Sequence, residues 1–233
     1  MPTKNKNVSS DKAQSGNILM IILIAIALIG ALTVAIQGTS NQTATIDKET
    51  LVLRISEIRR YASELERGVA YVMQNGHSEV DIRFSHPELD EDYGDLSADT
   101  DKSDQVFARE GGGAIYRPPP SDITAESAQW EFFGTTSIPD VGSDKADLVA
   151  VLGKVDPTFC DAINQSVGYA AQPEDPSTCL GEDLSNRFGA STQFLSSPNT
   201  VNDTTFSVTP SMEGCLECTS SGAQYYFRVL LAR

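Results

Sequence analysis

Four cysteines are the residues of this chain with the most definite chemistry: Cys160, Cys179, Cys215 and Cys218. An even count favours disulfides in an oxidising compartment, and four cysteines allow three pairings. Nearness along the chain favours Cys160–Cys179 and Cys215–Cys218. A zinc site would need three or four ligands closing tetrahedrally, and only one CxxC, the CLEC at 215–218, is present. A thioredoxin-like redox pair would need that motif to follow a strand and open a helix, which CLEC does not do.

The second candidate is DTDKSDQVFARE, Asp99 to Glu110. A calcium loop of the EF-hand kind places oxygen ligands at alternate early positions and a bidentate Glu at the twelfth. Asp99, Asp101, Ser103 and Glu110 meet that spacing, and Val106 fills the apolar position. Asp104 stands where the turn needs glycine; Asp90, Asp92 and Asp95 are close by. The competing reading is a solvated acidic surface loop. Apart from calcium, no cofactor is expected.

Nothing else gathers into an active site. Only His77 and His86 are present, and GxSxG, HExxH and Walker-type motifs are missing; the GGG at 111–113 lacks the following lysine. The 32 acidic residues select no catalytic pair by spacing, so the expectation is a protein that is not an enzyme. Net charge is −15 over 233 residues. Lys4, Lys6 and Lys12 against Asp11 make the first 16 residues basic, and the remainder is strongly acidic. Such a surface repels phosphate backbones, so nucleic acid is not an expected partner.

The elements that must position these residues begin with an apolar run. Ile18 to Ile36 reads ILMIILIAIALIGALTVAI, 19 residues without a charge. At ~1.5 Å per residue it would reach about 28 Å, close to the thickness of a hydrocarbon core. It is longer than the apolar stretch of a cleaved signal and no small-x-small site follows it. Basic residues before it keep the N-terminus cytoplasmic and export everything after Gln37. Ala44 to Gln74 then repeats apolar residues at spacings of three and four, with Arg54, Glu57, Arg60, Glu64 and Arg67 largely opposite, and Asn75-Gly76 is a stop.

Beyond it, β-rich runs occur at Val80–Phe84, Gln105–Ala108, Ala114–Arg117, Gln129–Phe133, Thr204–Val208 and Gln224–Leu231. Helices are expected from Ser143 or Asp144 through Val151 and from Asp156-Pro157 through Gln165. Trp130 and Phe132 should share one face of a strand as core residues. The expected organisation is a basic leader or tail (1–16), a transmembrane helix (17–36), an amphipathic continuation (37–75) and an exported acidic head (76–233). The expected fold is α+β, a long N-terminal helix packed under a mainly antiparallel β-rich head.

This layout resembles the type IV pilin and type II secretion pseudopilin superfamily. The likeness rests on the short basic leader ending in Gly16, the uniformly apolar helix, its amphipathic continuation and the β-rich head with late cysteines. The resemblance implies peptidase cleavage between Gly16 and Asn17, and apolar helices that bundle into a filament core. It also implies membrane lipid and like subunits or other pilin-like proteins as partners. The location implied is a bacterial inner membrane, single-pass, with the head exported. Two positions depart from the family: Asn17 where Phe or Met is usual after the cut, and Ile21 where the fifth mature residue is usually Glu. Ile21 removes a carboxylate that could pair with a neighbour's amine within lipid. An uncleaved single-pass anchor with a periplasmic binding or accessory domain is the alternative.

Overall fold

The computed structural model describes residues 20–30, 41–125, 127–176, 178–189 and 192–233, with side chains from residue 48 onward in the second of these stretches. The chain divides into two compact units, Met1–Thr50 and Leu51–Arg233. In the first, residues 20–30 form α1, whose large apolar side chains are exposed, from Ile22 at 48% to Leu23 at 68%. Among the described residues no helix is long and apolar enough to cross a membrane. The rest of the expected span, 17–19 and 31–36, lies outside the described residues, as do Gly16 and Asn17.

Helix α2, Asn41–Gln74, starts slightly before the expected segment and ends where the sequence places its stop. Gly76 takes φ +97°, a left-handed conformation that glycine adopts without a Cβ penalty, and its N–H caps the Met73 carbonyl at 3.1 Å. Ile58, Tyr61, Ala62, Leu65, Val69 and Val72 recur at helical spacing and are all buried. Each of the larger ones contributes roughly 1.5–3 kcal/mol by leaving water.

The surface they cover is one face of a six-stranded sheet in the order β3-β5-β6-β2-β1-β4. The strands are β1 Trp130–Ser137, β2 Asp147–Gly153, β3 Glu174–Asp175, β4 Phe194–Thr200, β5 Glu213–Cys218 and β6 Gln224–Leu231. The central pairs β1–β2, β2–β6 and β5–β6 are antiparallel, whereas β4 joins β1 and β3 joins β5 in parallel. The head is therefore α+β with a mixed, mostly antiparallel sheet.

Strand alternation sorts the core into two layers. Trp130, Phe132, Leu148, Ala150, Leu152, Cys215 and Tyr226 belong to the layer shared with α2. Phe133, Val149, Val151, Leu216, Cys218, Tyr225 and Phe227 belong to the other. Trp130 and Phe132 do share a face: Tyr61 of α2 meets Trp130 edge-on at 5.3 Å, and Phe84 stacks on Phe132 at 3.9 Å.

Several expected elements are corrected. Val80–Phe84, Gln105–Ala108 and Ala114–Arg117 are turns and extended chain that feed Ile82, Phe84, Val106 and Tyr116 into the α2 layer; only an isolated bridge joins Arg83 to Gln105. Thr204–Val208 is likewise irregular. The helix expected at 143–151 is replaced by a turn and β2. That strand lies between two others and is buried on both faces, so its apolar run loses the alternation that marks a strand. By contrast α3, Pro157–Val167, forms as expected, with the Asp156 carboxylate accepting from the Thr158 and Phe159 amides at 2.8 and 3.3 Å.

All four cysteines are disulfide-bonded, but as Cys160–Cys215 and Cys179–Cys218, not as sequence proximity suggests. The reason is geometric. Cys215 and Cys218 are three apart on β5, so their side chains point to opposite faces and cannot meet. Each finds its partner in its own layer: Cys160 of α3 on the helix-covered face, Cys179 on the other. The bridges close separations of 55 and 39 residues, each worth about 4 kcal/mol of unfolded-chain entropy on a loop-closure estimate. Non-reducing digestion should yield peptides linked in this pairing. Replacing Cys160 and Cys215 together by Ala should lower the unfolding free energy by about 2–5 kcal/mol, measured by urea titration of the full chain in detergent.

Candidate functional site

Among the described residues, a dense constellation of charged and hydrogen-bonding groups gathers on Arg187. Three local structures deliver it. Asp90 caps a short 3-10 helix, Glu91–Tyr93, and so aims Tyr93 inward. Asp183 caps a second, Leu184–Asn186, with Arg187 at its end. An isolated bridge between Arg187 and Phe133, together with the Phe188 amide donating to the Phe132 carbonyl at 2.8 Å, fastens that turn to β1.

The Arg187 side chain, 9% exposed, then meets three carboxylates. Its Nε and Nη2 donate to the two oxygens of Glu131 at 2.8 and 3.0 Å, a two-pronged pair. Nη1 reaches Asp92 at 2.9 Å and Asp90 at 3.0 Å. Tyr93 donates its hydroxyl to Glu131 at 2.7 Å and accepts from the Phe132 amide at 2.9 Å. Gln129 adds a further donor to Glu131 at 2.8 Å. Burial and the Glu131 charge push the Tyr93 phenol well above its ordinary range, and the Glu131 hydrogen bond raises the guanidinium further.

The chemistry this permits is restricted. Glu131 is occupied by Arg187, Tyr93 and Gln129, which leaves it ill suited to act as a base. Arg187 is neutralised by its carboxylates and is not a free anion receptor. The cluster walls a cleft of about 340 Å³ that Arg83, Asp92, Asp99, Asp104 and Gln105 also line. Desolvation raises the Asp104 carboxyl above its usual range. A second cleft, about 430 Å³, lies beside β4 and is lined mainly by uncharged groups including Thr135, Asn186, Ser197 and Asn199; its one carboxylate, Asp183, is held by Ser185 and Asn186.

Of the expected calcium ligands, Asp101 and Ser103 form a local turn. Asp101 accepts from the amide and hydroxyl of Ser103 at 3.0 and 2.6 Å. Asp99 accepts from Gln105 at 2.6 Å, and the exposed Glu110 lends its carbonyl to Asn75 at 3.5 Å. Among the described residues, Asp99, Asp101 and Glu110 do not bring their carboxylates into one metal-sized group. The one group that does form, Cys179, Glu182 and Cys218, contains a closed disulfide.

Ser103 also contacts His77 Nε2 at 2.8 Å. The acid of this trio bonds the serine rather than the histidine, the reverse of the order that activates a nucleophile. His86 packs against Tyr116 and Phe107, and burial lowers its pKa. Its Nδ1 accepts from the Glu88 amide at 3.1 Å, which requires the unprotonated ring nitrogen.

Sequence reading missed the Arg187 cluster. One signal was present: Arg187 is the only Lys or Arg between Lys154 and Arg228 in a chain crowded with acids. Arg187→Ala should cost roughly 3–5 kcal/mol by leaving Glu131 buried and unpaired, and Lys should rescue only part because the fork is lost; denaturant unfolding of the full chain measures both.

For His86 the neutral ring is favoured in the fold. Its contribution should be complete above about pH 6.5 and lost as pH falls through the lower folded value. Melting temperature followed from pH 7.5 to 5 should show that loss, and His86→Phe should remove this part of the dependence. Compared with protein-family models, curated proteins and solved structures, the chain finds no match in any of the three.

Proposed function

We propose that this chain is a structural subunit of pilin or pseudopilin type, a minor one, that assembles through its apolar N-terminal helix in a bacterial envelope filament or secretion machine. The observation carrying this reading is a sequence of three parts. An apolar helical segment with every large side chain exposed comes first, an amphipathic helix follows, and that helix's inner face forms one wall of a β head. An exposed all-apolar helix needs lipid or like helices around it, because water would not tolerate it.

Two disulfides support an oxidising, exported location for the head, which agrees with a basic cytoplasmic flank before Ile18. The Arg187 cluster supports a structural role better than a catalytic one, since Tyr93, Glu131 and Arg187 are engaged with one another. Ile21 bears on the mode of assembly. Without a carboxylate there, register between neighbouring helices would have to come from elsewhere, which suits a minor subunit whose head sets its position.

N-terminal sequencing of protein purified from membranes should begin at Asn17, and sheared surface fractions viewed by electron microscopy should carry the chain in filaments. A start at Met1 or Pro2, with no filament, would replace this reading with an uncleaved anchor bearing a periplasmic binding or accessory domain.

A further inference from the structure

Within the head unit, one narrow stripe of α2 stays out of the core: Val52, Leu53, Ser56, Arg60, Arg67, Ala70, Tyr71 and Gln74. At ~100° per residue these fall within roughly a third of the helix circumference. Val52, Leu53 and Tyr71 are 61%, 68% and 52% exposed. Ile115, at 67%, joins them, its amide held by Glu64 at 3.0 Å.

The stripe contains no carboxylate. Glu57, Glu64 and Glu66 lie on its flanks and are paired with Arg54, Arg117 and Arg228. Arg60 and Arg67, two turns apart, form no ion pair among the described residues. Both are thus open to a carboxylate from outside, on a unit with 13 basic against 29 acidic residues.

The opposite charge is concentrated in one segment. Residues 88–104 hold eight carboxylates against Lys102 alone, and Glu88, Glu91, Asp95 and Asp101 are exposed. A cationic stripe with apolar rungs and a strongly anionic segment thus occupy different surfaces of one chain. Stripe against stripe would set arginines against arginines, so self-association by a twofold contact on α2 alone is disfavoured. Stripe against acidic segment is complementary, and it is heterologous, so it propagates from copy to copy.

We infer that the outward stripe of α2 receives the 88–104 segment of a second copy, with Arg60 and Arg67 against its carboxylates at the middle of the stripe and Leu53 and Tyr71 adding apolar contacts towards its two ends. This rests on the assembly reading above and supplies the head-borne register that Ile21 leaves missing.

A photo-crosslinking benzoylphenylalanine in place of Tyr71, in the full chain in its own membranes, tests it. Irradiation should give a dimer whose crosslink maps by mass spectrometry to residues 88–104 of another copy. Arg60→Glu with Arg67→Glu should cut that adduct about tenfold, and adding Glu88→Lys and Glu91→Lys should restore it to within about twofold. An adduct with lipid only, with a different protein or within one chain, or no adduct, overturns the inference. The adduct does not require cleavage at Gly16. A chain that keeps Met1 yet crosslinks as described sinks the filament reading alone, and filaments without the adduct sink this interface alone.

Discussion

Burial of one face of α2 against the sheet is the interaction on which the rest of the head depends. The face is built from Ile58, Tyr61, Leu65, Val69 and Val72, and the opposing layer from Trp130, Phe132, Leu152 and Tyr226. Once that pair of surfaces is joined, the irregular segment 77–129 has somewhere to place its own apolar residues. It needs no strands of its own, because Ile82, Phe84, Val106 and Tyr116 are inserted between helix and sheet from turns. The close approach of that segment to the helix is made at Gly68, where a Cβ would meet Val106 at 3.0 Å.

Among the described residues the second face of the sheet has no long helix over it and is covered by loops instead. Leu180, Val201, Phe206 and Tyr169 come from turns and connecting chain. Loops confer less order than a helix, and this face has its own covalent tie at Cys179–Cys218, complementing Cys160–Cys215 on the helix-covered side. Electrostatics follow the same division of labour. In a unit with more than twice as many acids as bases, most arginines are placed where they neutralise buried or crowded carboxylates. Arg187 holds three acids at the edge of β1; Arg228 joins Glu66 of α2 to Glu213 of β5 across the sheet. Arg60 and Arg67, outward on α2, form no such pair among the described residues.

Much of the architecture could be read from residue order because it depends on short-range patterns. The periodicity of 44–74, the Asn75-Gly76 stop, the Asp156-Pro157 start and the alternating strand 224–231 are all local signals. The strand β2 was not legible, since burial on both sides erases alternation, and β5 was hidden because EGCLEC is short and carries glycine and charge. For the candidate calcium residues, spacing and hydrogen bonding are separate facts. Asp99, Asp101 and Ser103 have the intervals of a ligand loop, and in the fold Asp99 accepts from Gln105, Asp101 accepts from Ser103, and Ser103 contacts His77.

By itself the sequence determined what depends on neighbours in the chain: an apolar N-terminal segment, an amphipathic helix, an acidic head and four cysteines with an oxidising fate. Tertiary structure alone decided which cysteine meets which, because strand pleating sends Cys215 and Cys218 to opposite faces and only the fold brings Cys160 and Cys179 to those faces. It also decided which charges are spent and which are left. Arg187 and Arg60 are alike in sequence, but Arg187 is enclosed by carboxylates drawn from residues 90–92 and 131, while α2 turns Arg60 to solvent. Partnership of that kind is set by contacts distant along the chain, which no local pattern encodes.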